Sequence, residues 1–157
     1  NLVALMIKLL LGRPALAHKP AERLGRVLEI GTGCGYQAAV LSHVAAEVYS
    51  IERLRGLHER ARVNLRPFRL ATVHLMLGDG MVGYAKGAPY AGIIAAAGGA
   101  AVPEAWVAQL AVRGRIVAPT QSASGGQALV VIDKTARGLE RRILEAVHFV
   151  PLKSGIA

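Results

Sequence analysis

Three short groups of residues have the types and spacing to hold a polar ligand. They are the glycine-rich turn Glu29-Ile30-Gly31-Thr32-Gly33-Cys34-Gly35, the pair Glu52-Arg53, and the tripeptide Gly78-Asp79-Gly80. Glycine has no Cβ and adopts positive φ angles readily, so a glycine-rich backbone can approach a ligand closely. Carboxylates accept hydrogen bonds from hydroxyl and amino groups. Together the three groups indicate a site for a ligand that contains a nucleoside.

Each group follows a segment that has strand character. Apolar runs predict strands over residues 26–30, 47–52 and 73–77, separated by helices over about 36–46 and 54–65. The alternation of strands and helices is typical of a parallel α/β sheet. Ligands of such sheets bind beyond the carboxyl ends of the strands, where the strand order reverses. We therefore expect the three groups to line one cleft.

The second half of the chain continues this alternation. It predicts a fourth strand over 90–96, a helix from Pro103 to about residue 111 that Gly114 caps, and a fifth strand over 115–118 that Pro119 closes. Segments 128–133 and 141–149 predict a closing antiparallel pair. A single α/β domain spanning residues 1–157 follows from this length and pattern.

The glycine spacing separates two classes of nucleoside cofactor. Dinucleotide enzymes carry G-x-G-x-x-G, whereas Tyr36 occupies the last of those places here and the pattern is G-x-G-x-G with Glu29 two residues before it. This form favours S-adenosylmethionine. Glu52, about twenty residues beyond the turn, can accept hydrogen bonds from both ribose hydroxyls and would repel the 2′-phosphate of NADP. Asp79 can accept a hydrogen bond from an adenine amino group.

Composition and charge narrow the remaining function classes. The formal net charge is +9, but the basic residues are spread along the chain and aromatic residues are 4% of it, which predicts a solvated basic surface and no nucleic-acid partner. Cys34 is the single cysteine and is interpreted as a small residue of a tight turn. The five histidines show no metal-ligand spacing, so we expect no metal. The apolar segment 2–17 is interrupted by Lys8 and is too short to span a bilayer, so it predicts an amphipathic helix that ends near Gly12.

Longer motifs resemble one known family. The segment Val27-Leu28-Glu29-Ile30-Gly31-Thr32-Gly33-Cys34-Gly35-Tyr36-Gln37-Ala38-Ala39-Val40-Leu41 closely resembles the protein-L-isoaspartate O-methyltransferases. Near the end, Glu145-Ala146-Val147-His148-Phe149-Val150-Pro151-Leu152 resembles the same family. Shorter matches between them are Val48-Tyr49-Ser50-Ile51-Glu52-Arg53, Gly78-Asp79-Gly80, Ala88-Pro89-Tyr90 and Gln109-Leu110. The resemblance covers nearly the whole chain.

The resemblance implies a fold and a reaction. The fold is a Rossmann-like, doubly wound, mostly parallel seven-stranded sheet with an antiparallel C-terminal strand pair. The reaction transfers the methyl group of S-adenosylmethionine to the α-carboxylate of an L-isoaspartyl residue in a damaged protein. The ester then closes to a succinimide, which opens partly to normal aspartate, so the overall role is protein repair.

The resemblance also assigns binding residues. Residues Gly31 to Gly35 hold the methionine part of the cofactor, Glu52 and Arg53 lie at the ribose, and Asp79 and Gly80 lie at the adenine. The complete cofactor-binding assignment is Glu29, Gly31, Thr32, Gly33, Cys34, Gly35, Glu52, Arg53, Asp79 and Gly80. The assignment near the substrate is Val150, Pro151 and Leu152.

Three departures from the family pattern keep alternatives open. The family's catalytic serine lies just before the helix that opens this chain, so we expect the N-terminal segment to be missing and assign no catalytic residue. Ala91 and Ala101 stand where the family usually has acids. The alternatives are a catalytically inactive cofactor- or protein-binding module and an RNA methyltransferase. The main hypothesis is a monomeric, cytoplasmic enzyme that acts on isoaspartyl-containing proteins or peptides, with no membrane partner.

Overall fold

The strands of this protein form one seven-stranded sheet. The computed structural model describes residues 2–12, 23–96 and 101–145. The strands are β1 (Leu24–Ile30), β2 (Ala45–Glu52), β3 (Val73–Leu77), β4 (Tyr90–Ala95), β5 (Leu110–Gln121), β6 (Gln127–Thr135) and β7 (Gly138–Glu145). Their order in the sheet is β3-β2-β1-β4-β5-β6-β7. Strands β1 to β5 run parallel, while β6 is antiparallel to both β5 and β7. The predicted fold class is confirmed, and the strand order reverses between β1 and β4.

Helices pack on both faces of the sheet. They are α1 (Leu2–Leu11), α2 (Tyr36–Leu41), α3 (Arg55–Leu65) and α4 (Glu104–Gln109), with short 3-10 turns over Arg66–Phe68, Gly80–Val82 and Ala85–Gly87. Successive strand residues point to opposite faces, so Val27 joins a core with α1 and α2, whereas Leu28 joins a core with Trp106 of α4. None of the described helices has the length and apolar character needed to cross a bilayer.

The second helix is shorter than its sequence predicts. Residues 36–46 were expected to be helical, but α2 ends at Leu41 and β2 already begins at Ala45. Ser42 closes the helix because its hydroxyl donates to the Ala39 carbonyl at 2.6 Å. Alanine suits either a helix or a strand. Ala45 is fully buried and pairs with Leu24 of β1, so sheet pairing places it in the strand.

The fifth strand is longer than predicted, and Gly114 is not a helix cap. The helix ends at Gln109, and β5 continues through both Gly114 and Pro119. Arg113 adopts a positive φ of 72° beside a register shift against β4, so the break expected near Gly114 is a bulge within a strand. Pro119 lies beyond Val117, the last residue paired with β4, where β5 keeps one neighbouring strand and tolerates a missing N–H.

The closing strands also differ at their ends from the expected bounds. The sixth strand was predicted over 128–133 and spans Gln127–Thr135, while the seventh was predicted from 141 and begins at Gly138. Pairing along the tight turn extends both strands towards each other, with Thr135 opposite Gly138. The predicted residues 146–149 lie outside the described part.

A buried ion pair attaches the first helix to the sheet. Arg115 of β5 donates two hydrogen bonds to Asp133 of β6, from Nε at 2.6 Å and from Nη2 at 2.9 Å. Its Nη1 donates to the carbonyl oxygen of Leu9 at 2.8 Å, near the C-terminal end of α1. The helix packs so closely on β4 that a Cβ on Gly92 would lie 2.7 Å from Leu10 Cδ1. One guanidinium thus joins α1, β5 and β6.

Replacing Asp133 by alanine should destabilise the protein strongly. The substitution leaves the Arg115 guanidinium buried without its carboxylate, and loss of one partner of a buried pair costs about 3–5 kcal/mol. The free energy of unfolding in urea measures this loss. The double variant Arg115→Met with Asp133→Leu removes both charges and should lose less than Asp133→Ala alone. An Asp133→Ala variant as stable as wild type would refute a structural role for the pair.

Candidate functional site

A cleft of about 510 Å³ opens at the carboxyl ends of the parallel strands. Ligand sites of globular proteins commonly have this size, and the cleft lies at the reversal of strand order between β1 and β4. Of the predicted cofactor residues, those that line it are Gly31, Gly33, Glu52, Arg53, Asp79 and Gly80. Its apolar walls include Ile30, Ile51, Val102, Pro103 and Trp106. The structure therefore brings all three groups of the sequence analysis together.

The glycine-rich turn has the backbone that its composition requires. Gly31, Gly33 and Gly35 have φ angles of 92°, 56° and 94°, which disfavour any residue with a side chain. A Cβ on Gly35 would also lie 3.0 Å from Leu65 Cγ, so this glycine lets α3 approach the turn. Asn64 of α3 donates to the Cys34 carbonyl at 3.0 Å and holds the turn from outside.

Glu52 connects the turn to the end of β2. Its Oε1 accepts a hydrogen bond from the Gly33 N–H at 3.0 Å, and its Oε2 accepts one from the Leu54 N–H at 3.1 Å. The residue is 5% exposed, yet it lines the cleft. A carboxylate oxygen can accept more than one hydrogen bond, so Glu52 can shape the turn and still accept from a ligand hydroxyl.

A chain of buried hydrogen bonds lies beneath the turn. Ser50 donates to Glu29 Oε1 at 2.5 Å, so the hydroxyl of Thr32, 2.6 Å from the Ser50 oxygen, is the donor in its own contact with Ser50. Burial raises the pKa of Glu29 to about 7, against the opposing effects of Ser50 and the Gln37 amide, and the charge of Glu52 adds to the increase. Glu29 Oε2 and Gln37 Nε2 have no hydrogen-bond partner in the described part of the chain.

Three side chains hold the segment that follows β3. Asp79 Oδ1 accepts from the Met81 N–H at 2.9 Å, while Trp106 Nε1 of α4 donates to the Gly80 carbonyl at 2.7 Å. A Cβ on Gly80 would lie 2.5 Å from Ile30 Cγ2, so glycine allows this turn to reach β1. Gln109 accepts from the Tyr84 N–H at 2.8 Å and donates to the Val82 carbonyl at 3.0 Å. Helix α4 thus fixes the floor of the cleft beside Asp79.

The other predicted residues lie outside the cleft lining. Glu29, Thr32 and Gly35 are buried beneath or behind the turn, and Cys34 is exposed. Val150, Pro151 and Leu152 lie outside the described residues. Of the two positions that depart from the family, Ala101 lines the cleft, while Ala91 packs in the core on the α1 side of the sheet.

Several residues of the cleft carried no sequence signal. Trp106 donates a hydrogen bond to the Gly80 carbonyl across 26 residues of the chain, a contact that no local pattern indicates. Thr120 and Arg141, on β5 and β7, line the end of the cleft opposite β2. Polar residues at successive strand ends identify the parts of the cleft that belong to β1, β2 and β3. The same pattern does not identify Arg141, which lies in the middle of β7.

The chemistry of the cleft favours binding and positioning of a ligand. The charged residues of its described lining are Glu52, Arg53, Asp79 and Arg141, and this lining includes no histidine or cysteine. The described residues also contain no group of three His, Cys, Asp or Glu side chains placed to hold a metal ion.

Comparison with known proteins points to one family. A family model described as protein-L-isoaspartate(D-aspartate) O-methyltransferase matches residues 2–157. Proteins named protein-L-isoaspartate O-methyltransferase from Methylibium petroleiphilum and Ralstonia nicotianae are 55% and 54% identical over 99% of this chain, which covers 56% and 51% of their lengths. The chain thus spans about half the length of the curated relatives it matches.

Solved structures agree with the fold. A structure of a protein-L-isoaspartate O-methyltransferase has a TM-score of 0.75 and 31% identity, with 92% of this chain and 44% of that chain covered. A Plasmodium falciparum structure described as an enzyme of this kind in complex with S-adenosyl-L-homocysteine has a TM-score of 0.73 and 20% identity, with 98% and 74% covered. The second similarity supports the fold alone.

Replacing Glu29 by glutamine should flatten the pH dependence of stability. With a pKa of about 7 when folded, against an ordinary 4.5, Glu29 keeps a proton that the unfolded chain loses. Its contribution is present below pH 4.5 and is lost as the pH rises through 7, roughly 3 kcal/mol in all. We expect the fall in unfolding free energy between pH 5 and pH 8 to shrink by most of that amount in Glu29→Gln.

Urea unfolding at the two pH values measures this difference. Glu59→Gln, which neutralises an exposed carboxylate of α3, serves as the control and should follow the wild type. The same fall in Glu29→Gln as in wild type would show that Glu29 does not titrate near neutral pH.

Proposed function

The chain belongs to the protein-L-isoaspartate(D-aspartate) O-methyltransferase family, and we propose that it transfers the methyl group of S-adenosylmethionine to L-isoaspartyl residues of damaged proteins. The observation that carries the proposal is the cleft that joins Gly31, Gly33, Glu52 and Asp79 at the switch point of the sheet. After β1, the glycine backbone is accessible to a ligand, and carboxylates lie at the end of β2 and just after β3.

The residues of the cleft fit an adenosine-containing cofactor. Glu52 has acceptor capacity for ribose hydroxyls in addition to its bonds to Gly33 and Leu54. Asp79 Oδ2 makes no hydrogen bond within the described chain, so it is available to an adenine amino group. Gly31 and Gly33 would face the methionine part, and the apolar side chains of Met81 and Leu54 lie on the same walls.

The proposed reaction needs positioning more than acid–base catalysis. The cofactor supplies a methyl group on a sulfonium, and the isoaspartyl carboxylate forms the new C–O bond as the C–S bond breaks, without transfer of a proton. The two carboxylates of the described lining, Glu52 and Asp79, accept hydrogen bonds from backbone N–H groups and so have binding and shaping roles in this proposal. Ile30, Val102 and Trp106 would keep water from the reacting atoms, and in-line placement would supply most of the acceleration.

The proposal extends to the partners and the setting of the protein. We propose that it acts as a monomer in the cytoplasm on isoaspartyl proteins or peptides, without a nucleic-acid partner. Support for the absence of a nucleic-acid partner comes from the spread of the basic residues along the chain and from the low aromatic content. The excess of 19 Lys and Arg over 10 Asp and Glu then serves as a solvated surface.

Methyl transfer to a matched pair of peptides tests the function. Radiolabelled S-adenosylmethionine is incubated with a peptide that contains L-isoaspartate and with the same peptide that contains L-aspartate. The assay uses this chain and also the chain joined to the region of the Methylibium petroleiphilum relative that lies outside the match. Base-labile label in the isoaspartyl peptide alone is the expected result. Cofactor binding without ester in either protein would favour an inactive binding module, and label transferred to RNA in a parallel reaction would favour an RNA methyltransferase.

Removing the carboxylate of Asp79 should weaken cofactor binding. A hydrogen bond to a charged group contributes about 1.5–3 kcal/mol, so Asp79→Ala should bind S-adenosylhomocysteine roughly 10- to 150-fold more weakly in a calorimetric titration. Asp79→Asn keeps an oxygen for the Met81 N–H and removes only the charge, so it distinguishes the effect of the charge from that of the turn geometry. We expect it to lose less cofactor affinity than Asp79→Ala. Unchanged affinity in Asp79→Ala would remove this residue from the binding site.

A further inference from the structure

The charges in the cleft are distributed unevenly along the sheet. Its two carboxylates belong to Glu52 and Asp79, at the ends of β2 and β3, with Arg53 beside them. The far end of the lining contains Thr120 of β5, Val130 of β6 and Arg141 of β7. Of the charged residues in the described lining, Arg141 alone lies at this end, so the charge that this lining contributes there is positive.

The pairing of β7 with β6 determines which way Arg141 points. Arg141 lies opposite Ile132, and Ile143 lies opposite Val130. Ile132 and Val130 belong to the core on the α4 side of the sheet, and directly paired residues share a face. Arg142 points to the other face, where its Nη2 lies 3.9 Å from Asp133 Oδ2. Two adjacent arginines thus lie on opposite faces of one strand, and Arg141 is the one on the cleft face.

An apolar strip flanks Arg141 on the same face. Leu139 and Ile143, two residues before and after it, are 50% and 42% exposed. Arg141 makes no ion pair with a carboxylate of the described residues. Leu139, Arg141 and Ile143 thus form a row on the cleft face of β7, and Arg141 is the member of this row that lines the cleft.

The distance across the sheet sets what Arg141 can reach. The reacting methyl group is expected at the switch point, beside β4, and β7 lies three strands away, about 14 Å at ordinary strand spacing. An extended peptide advances about 3.3 Å per residue. Two or three residues of an extended peptide span about 7–10 Å of this distance, and the lengths of the peptide's acidic side chain and of the Arg141 side chain cover the remaining 4–7 Å or so.

We propose that Arg141 is a specificity-determining residue that selects substrate peptides with an acidic side chain two or three residues from the isoaspartyl site. The inference rests on the proposed function and names the substrate class of that same cleft. A guanidinium binds a carboxylate through two parallel hydrogen bonds, while Leu139 and Ile143 contact the aliphatic parts of the peptide.

Binding of four labelled isoaspartyl peptides tests the proposal. They carry glutamate or lysine two and three residues from the isoaspartate, on its N-terminal or its C-terminal side, and anisotropy is measured with saturating S-adenosylhomocysteine. Matched aspartyl peptides are included. We expect wild type to bind the glutamate peptide of one side about three- to tenfold more tightly than its lysine counterpart, a ratio suited to an exposed charge pair. In Arg141→Gln the ratio should fall to near one.

Arg142→Gln provides the matched control, because it removes the same charge from the same strand on the opposite face. It should keep the preference of wild type, and both variants should keep the wild-type affinity for S-adenosylhomocysteine. A preference that persists in Arg141→Gln, or that disappears equally in Arg142→Gln, would overturn the inference. Preference for isoaspartyl over aspartyl peptides without any effect of flanking charge would overturn the inference alone, whereas no such preference would overturn the proposed function as well.

Discussion

The site depends most on the two hydrogen bonds that the buried carboxylate of Glu52 accepts. This carboxylate joins the ends of β1 and β2 through Gly33 and Leu54, so the position of the glycine-rich turn is set by the neighbouring strand. The chain from Thr32 through Ser50 to Glu29 repeats this connection one layer deeper. Both links run between β1 and β2, which makes this strand pair the rigid frame of the cleft.

The opposite wall is held by a separate set of contacts from α4. Trp106 and Gln109 bind backbone atoms of the segment after β3, which holds Asp79 at the edge of the cleft. The helix has six residues, and Lys134 of β6 donates to the carbonyls of Val107 and Leu110 near its end. The cleft is therefore framed by side chains that bind backbone atoms, and these contacts set the spacing of its three strand ends.

Sequence patterns predict the part of this protein that follows local rules. Strand β3 has the predicted bounds because its apolar run is bounded by turn residues, and the glycine positions match because positive φ angles demand glycine. Helix α2 and strand β5 differ because pairing with β1 and a bulge beside β4 override local preference. Glu29, Thr32 and Gly35 shape the turn from beneath and behind it, a distinction that depends on three-dimensional packing. Arg141 enters the cleft through the register of β7, which no spacing along the chain reveals.

Amide chemical shifts during titration with S-adenosylhomocysteine test the central claim most directly, namely that the cleft at the strand ends holds the cofactor. The account predicts saturable shifts at Gly31, Gly33 and Gly80, which line the cleft. Gly125, in the turn before β6, and Gly138, the first residue of β7, line no part of the described cleft and should remain unchanged. Absence of shifts at the first three glycines under saturating ligand, or equal shifts at these two control glycines, would contradict it.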